Sequence, residues 1–203
     1  YQWYSNTVNS TTGGTLILGA IGLTYVPPTS AIGTLYYYCI ATYNSGGCTT
    51  ATSNIAVVNV NPIHTITPQP IVSQDICVEG VIAPLTVGYT QGVGTATYQW
   101  YSNTTNTSTG GTLISAANGF SYTPSMFNTP GDYYYYALVT LSGSGCGSVA
   151  SDVSLVHVVQ DPTVVITPLT QTICQGTTPT DLVVTPSGGV GTYSYQWYLS
   201  PSN

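Results

Sequence analysis

The tetrapeptide Tyr1-Gln2-Trp3-Tyr4 returns as Tyr98-Gln99-Trp100-Tyr101 and again as Tyr195-Gln196-Trp197-Tyr198, so the three tryptophans stand 97 residues apart. Gly13-Gly14-Thr15-Leu16-Ile17 returns on the same spacing as Gly110-Gly111-Thr112-Leu113-Ile114, and Cys77 returns as Cys174. A period of about 97 residues is one small domain's worth of chain and is too long for a solenoid unit. The expected organisation is the later part of one domain (1–62), a complete second domain (63–161) and the opening of a third (162–203), a chain incomplete at both ends. Cys48 and Cys146 lie 98 apart, so one residue is gained in the loop between Pro28 and Gly33 or its counterpart between Pro124 and Gly131. Asn61-Pro62 and Asp161-Pro162 mark the junctions. Each proline follows an alternating strand, Ala56 to Val60 or Val153 to Val159, and lacks the N–H that ladder pairing needs.

Within the second copy about seven short strands can be read between turns of Gly, Pro, Ser and Asn. Leu85, Val87 and Tyr89 alternate with Thr86, Gly88 and Thr90, the period-2 pattern of a half-buried strand. Gly92 and Gly94 turn the chain into the Trp100 strand. Ile114, Tyr122 and the run Tyr133 to Thr140 supply later strands, and Ser151 to Val159 closes the domain. No stretch carries helical periodicity with a cap. The expected fold is all-β, a tandem array of β-sandwiches.

Charge narrows the function. The chain has no Lys, no Arg and six acids, so 3% of its residues are charged, against roughly 25% in ordinary soluble domains. Without a basic side chain it cannot neutralise phosphates, which excludes nucleic acid as a partner and removes P-loop and arginine-finger chemistry. A net charge of −6 is repelled by an anionic membrane. No apolar run approaches the roughly 18 residues of a membrane span; the longest, Leu16 to Leu23, is broken by Gly19 and Gly22. The Tyr- and Thr-rich content favours folded β-structure over disorder.

No constellation for catalysis or metal binding stands out, and neither cofactor nor enzymatic activity is expected. His64 and His157 are isolated. Asp75, Glu79, Asp132, Asp152, Asp161 and Asp181 are scattered singly, and Asp161, beside a linker proline, is the candidate for weak calcium binding. Gly-x-Ser-x-Gly and His-Glu-x-x-His are both missing, and serines and threonines without an activating base are weak nucleophiles.

Trp100 after a strand and a Gly turn, followed by Tyr135 two residues before Ala137 (Tyr37 before Cys39 in the first copy), resembles the Trp strand and tyrosine corner of an immunoglobulin-like domain. The usual inter-sheet cysteine pair is missing, because Leu85 to Thr90 has no Cys and Ala137 replaces Cys39. More narrowly, Tyr-Gln-Trp-Tyr-Ser-Asn-Thr, Gly-Gly-Thr-Leu-Ile, Tyr-Tyr-Tyr-Cys and Ser-Gly-Ser-Gly-Cys are similar to the Ig-like repeats of giant Bacteroidota cell-surface proteins, over nearly the whole chain. The resemblance implies a secreted adhesin or gliding-type filament at the cell surface. A carbohydrate-binding module array and the stalk of a larger secreted enzyme are the alternatives.

By analogy with such domains Trp3, Trp100 and Trp197, with Tyr37 and Tyr135, are expected in the core. Burying an indole removes 150 to 250 Å² from water, roughly 4 to 6 kcal/mol. The five cysteines include no CxxC pair, which favours disulfides outside the reducing cytosol over zinc or thioredoxin chemistry. Each visible copy has a Cys before its second strand (Cys77, Cys174) and one after its Tyr strand (Cys48, Cys146). Cys77 with Cys146 is the favoured pair, and a link between neighbouring repeats is the alternative. If Trp100 points inward, alternation sends Gln99 and Tyr101 outward. By the same rule Tyr134 and Tyr136 point outward, as do Tyr36 and Tyr38, giving an aromatic stripe that either stiffens the sheet or offers a surface for glycan or lateral association. Asn9, Asn103 and Asn106 open Asn-x-Ser/Thr sequences in the polar loop after the Trp strand.

Overall fold

The computed structural model describes residues 1–43, 49–143 and 145–200. Among these residues the structure is all-β, of the sandwich class, with no helix. It divides into two units, one made of Tyr1–His64 with 91–95 and 141–146, the other of 65–90, 96–140 and 147 onward. Residues 162–200 belong to the second unit.

In the first unit, β1 (Gln2–Asn6), β2 (Thr15–Leu16), β3 (Gly33–Thr42), β4 (Thr50–Thr52) and β5 (Ala56–Val60) form one antiparallel sheet. β1 lies between β2 and β3, in registers Tyr4↔Leu16 and Trp3↔Cys39, and β3 also pairs β5 through Tyr37↔Ala56. Loop 91–95 belongs here because Gly92 (φ 77) touches both neighbours: an added Cβ would lie 2.3 Å from Leu141 Cδ1 and 3.0 Å from the Cβ of buried His64.

The second unit contains β6 (Thr65–Ile66), β7 (Ser73–Cys77), β8 (Leu85–Thr86), β9 (Tyr89–Thr90), β10 (Ala96–Asn103), β11 (Thr112–Leu113), β12 (Ser121–Tyr122), β13 (Gly131–Leu141), β14 (Val149–Ala150), β15 (Ser154–Val159), β16 (Thr163–Thr167) and β17 (Val183–Ser187). The main sheet runs β11-β10-β13-β15-β7, with β14 also on β13; β6 pairs β9, β8 pairs β12 and β16 pairs β17. β15 and β7 are parallel, Leu155↔Ser73 through Val159↔Cys77. The core fills with Leu85, Val87, Trp100, Tyr135, Ala137, Val139, Val156 and Val158, the inward residues of successive strands.

The second copy uses ten strand segments among the described residues where about seven were expected, and two breaks explain much of the excess. Leu85 and Val87 are buried and Thr86 exposed, as alternation requires. At Gly88, however, the backbone turns to bond residues 67 and 68: Thr67 N donates to Gly88 O and Gly88 N to Pro68 O, each at 3.0 Å. A side chain there would meet Thr67 O and Pro68 Cδ at 2.7 Å. The strand therefore divides into β8 and β9, which pair with different partners. The closing strand breaks similarly at Ser151, whose Oγ accepts from Ala137 N at 2.9 Å while its own N donates to Ala137 O at 2.8 Å. Ser53 binds Cys39 in the same way in the first unit.

Of the three tryptophans only Trp100 is fully buried. Trp3 is half-buried. Trp197 is 52% exposed. The described residues from 188 to 200 form no strand.

Ser154, opposite Tyr135 in the ladder, is fully buried and its Oγ has no hydrogen-bond partner among the described residues. Ala56 holds the matching place opposite Tyr37. An unsatisfied buried hydroxyl carries its full desolvation penalty, so Ser154→Ala should stabilise the chain by about 1 kcal/mol. Urea denaturation would register this as a higher midpoint at unchanged slope, and a lower midpoint would show that the hydroxyl is satisfied.

Candidate functional site

The feature built alike in both units is the hairpin that follows the Trp strand. Gln99 Nε2 donates to Trp100 O at 3.0 Å and Ile114 O at 2.8 Å, and Gln2 makes the same two bonds to Trp3 O and Ile17 O. Trp100 N donates to Ala117 O and its indole Nε1 to Gly119 O, both at 2.9 Å; Trp3 repeats this with Ala20 and Gly22. These bonds hold each hairpin close over the outer face of its sheet.

That closeness decides the fate of the aromatic stripe. Tyr101 stacks on Tyr136 with ring centroids 5.2 Å apart and planes 8° from parallel, and Tyr4 stacks on Tyr38 at 5.2 Å and 6°. The side chains point to the outer face as alternation requires, yet Tyr136 and Tyr38 are each only 3% exposed. The Gly110-Gly111 turn covers Tyr136: Gly111 N donates to its hydroxyl at 3.2 Å, and a Cβ on Gly111 would stand 2.9 Å from the ring and 2.7 Å from Ser102 O. The expected contact surface is therefore corrected at Tyr136 and Tyr38, which are packed. Tyr101, Tyr134 and Tyr36 remain half-exposed. On the inner face Tyr135 and Tyr37 are buried as expected, with Tyr122 tilted between Trp100 and Tyr135.

The cysteines do not form the favoured pair. Cys77 is a free thiol, as are Cys39 and Cys174, and Cys48 lies outside the described residues. Cys77 adjoins Val159 in its sheet, and Cys146 donates through Sγ to Pro62 O at 3.7 Å.

Among the described residues no three His, Cys, Asp or Glu side chains gather to hold a metal. Asp161 lines a cleft of about 620 Å³ with Asn128, Gln160 and Thr163, and is the single acidic residue in it. The sequence reading missed one pair: His157 Nδ1 and Asp132 Oδ1 are 2.5 Å apart on facing ladder positions, where the first unit has Thr34 bonded to Asn59.

The Trp strand, the covered tyrosine and the closing strand all fall in one stretch of the chain. Residues 70–160 match the model of a domain of unknown function, DUF8696. The DUF8696 match begins just past the cis Thr67-Pro68 bond and takes in β7 to β15. None of the curated proteins matches the chain.

Two outcomes follow from this packing. Tyr136→Ser removes a buried stacked ring and should cost about 3 kcal/mol, on the scale of aromatic truncations in cores, whereas Tyr134→Ser should cost under about 1 kcal/mol. Equal midpoints for the two variants in urea would show that the outer face is open. The second outcome concerns alkaline stability. Burial pushes the Tyr135 phenol well above its ordinary value, and Tyr122 and Tyr133 add to the shift. The folded chain keeps a proton that the unfolded chain releases above about pH 10, so this contribution is complete below that pH and is lost as pH rises further. Tyr135→Phe should accordingly lose less stability than the parent between about pH 9 and about pH 11; parallel curves would contradict the assignment.

Proposed function

We propose that the chain is a non-catalytic, extracellular repeat segment of a long surface fibre or adhesin stalk. The observation that carries this reading is the repetition of one complete hydrogen-bond pattern: glutamine, tryptophan and paired tyrosines recur in both units with the same partners, and what recurs is scaffolding. The linkers are short. β5 ends at Val60 and β6 begins at Thr65; β15 ends at Val159 and β16 begins at Thr163. Short proline-containing linkers suit a module whose task is to add reach. The resemblance to Bacteroidota surface repeats supports a place outside the cytosol. The partners on this reading are neighbouring repeats, with lateral self-association or surface glycans at the exposed faces.

Strands of about eight residues rise roughly 3.4 Å each, so every repeat with its linker should add roughly 35 to 40 Å of length. Small-angle scattering of the full chain tests this. The expected radius of gyration is clearly above the roughly 17 Å of a 203-residue globule, and a value near that figure would rule out an extended array.

A further inference from the structure

Three Asn-x-Ser/Thr sequences fall in the two equivalent hairpin loops: Asn9-Ser10-Thr11 between β1 and β2, and Asn103-Thr104-Thr105 and Asn106-Thr107-Ser108 at the end of β10 and beyond. Sequence gives no reason to prefer one over another. The structure separates them.

Asn103 is consumed by its own loop. Its Nδ2 donates to Thr107 O at 3.0 Å, Thr107 Oγ1 at 2.9 Å and Thr109 O at 3.1 Å, and its Oδ1 accepts from Thr104 N at 2.8 Å. Asn6 does the same work in the first unit, binding Ser10 O at 2.9 Å and Thr12 O at 3.1 Å. It carries no acceptor sequence, because Val8 stands where the hydroxyl residue would be. Asn9 and Asn106 occupy the matching place at the two loop tips. Each sits at the centre of a tight turn, closed by Ser10 N to Val8 O at 2.7 Å and by Thr107 N to Thr105 O at 2.8 Å. Both are exposed, and among the described residues neither their side chains nor those of Thr11 and Ser108 make a hydrogen bond.

We propose that Asn9 and Asn106 are N-glycosylation sites of the folded protein and that Asn103 is not. The substrate class is a glycosyl phosphate or pyrophosphate donor. In the transfer the carboxamide nitrogen bonds to the anomeric carbon, the carbon–oxygen bond to the donor's phosphate breaks, the phosphate leaves as an anion, and one amide proton passes to a base. At Asn9 and Asn106 the nitrogen and the neighbouring hydroxyl are available for this. At Asn103 the same step would require breaking the bonds that shape the loop. The modification also meets a need set by composition: with 3% charged residues the surface has little of the ionic hydration that ordinarily keeps domains apart, and a bulky, solubilising glycan on each repeat supplies it. This inference uses only the extracytoplasmic part of the reading above, so a compact scattering profile would leave it standing.

The test offers the unglycosylated, folded full chain to an oligosaccharyltransferase with its lipid-linked oligosaccharide. The enzyme is chosen for its ability to modify the peptide 98–112, in which the loop is unfolded. Chymotryptic peptides, read by mass spectrometry, give occupancy at each asparagine. In the folded chain Asn9 and Asn106 should fill about tenfold or more faster than Asn103, the factor expected when more than one hydrogen bond must first be broken. In the peptide the rates at Asn103 and Asn106 should fall within about twofold of each other once the loop's bonds are gone. A folded chain left bare at Asn9 and Asn106 overturns the proposal. So does equal filling of Asn103 in the folded chain, or a peptide that discriminates as strongly as the fold.

Discussion

The structure depends on how the Trp strand is fastened to the segment that follows it. Trp100 N donates to Ala117 O, Trp100 O accepts from Ile114 N, and the indole Nε1 donates to Gly119 O. Three directional bonds from one residue fix the strand, the hairpin and the ring pose together. Trp3 keeps all three, to Ala20, Ile17 and Gly22, although it is only half-buried. The hydrogen-bond frame therefore sets the pose and burial follows where covering strands exist. The loop that this frame presses onto the sheet then requires a turn without side chains, which Gly14 and Gly111 supply.

A chain without Lys or Arg has to satisfy its polar groups with neutral partners, and the loops show how. Asparagine and glutamine amides bond carbonyls, hydroxyls bond one another as at Thr65–Thr90 and Thr163–Ser187, and serines close backbone gaps at residues 53 and 151. Neutral hydrogen bonds contribute about 1 kcal/mol each and are little affected by salt. The Asp132–His157 contact is largely exposed on both sides, and such pairs contribute little.

Much of this was legible in the sequence, where the signal was periodic or local. Alternation placed Leu85 and Val87 inside correctly, the resemblance to immunoglobulin-like domains did the same for Trp100 and Tyr135, and the positive φ of Gly92 and Gly94 matches the turn read from them. Alternation also gave the right face for Tyr136, but a face is not an exposure. What covers Tyr136 is a loop brought over by the bonds of Gln99 and Trp100, and no period records that. The breaks at Gly88 and Ser151 were missed for the same reason, since their partners, Pro68 and Ala137, lie 20 and 14 residues away. The repeat spacing that suggested a Cys77 pairing carries no information on the oxidation state, and Cys77 is a free thiol.

The first long strand of the second copy and its last are direct neighbours and run parallel, Ser73–Cys77 beside Leu155–Val159. In a chain pulled from its two ends, the pull on β7 is directed toward its N-terminal side and that on β15 toward its C-terminal side. Parallel strands drawn in opposite senses slide along each other, so the inter-strand bonds of the whole register are loaded together. An antiparallel terminal hairpin would instead open one bond at a time. The domain resists tension as a lap joint resists it, by shear over the full overlap.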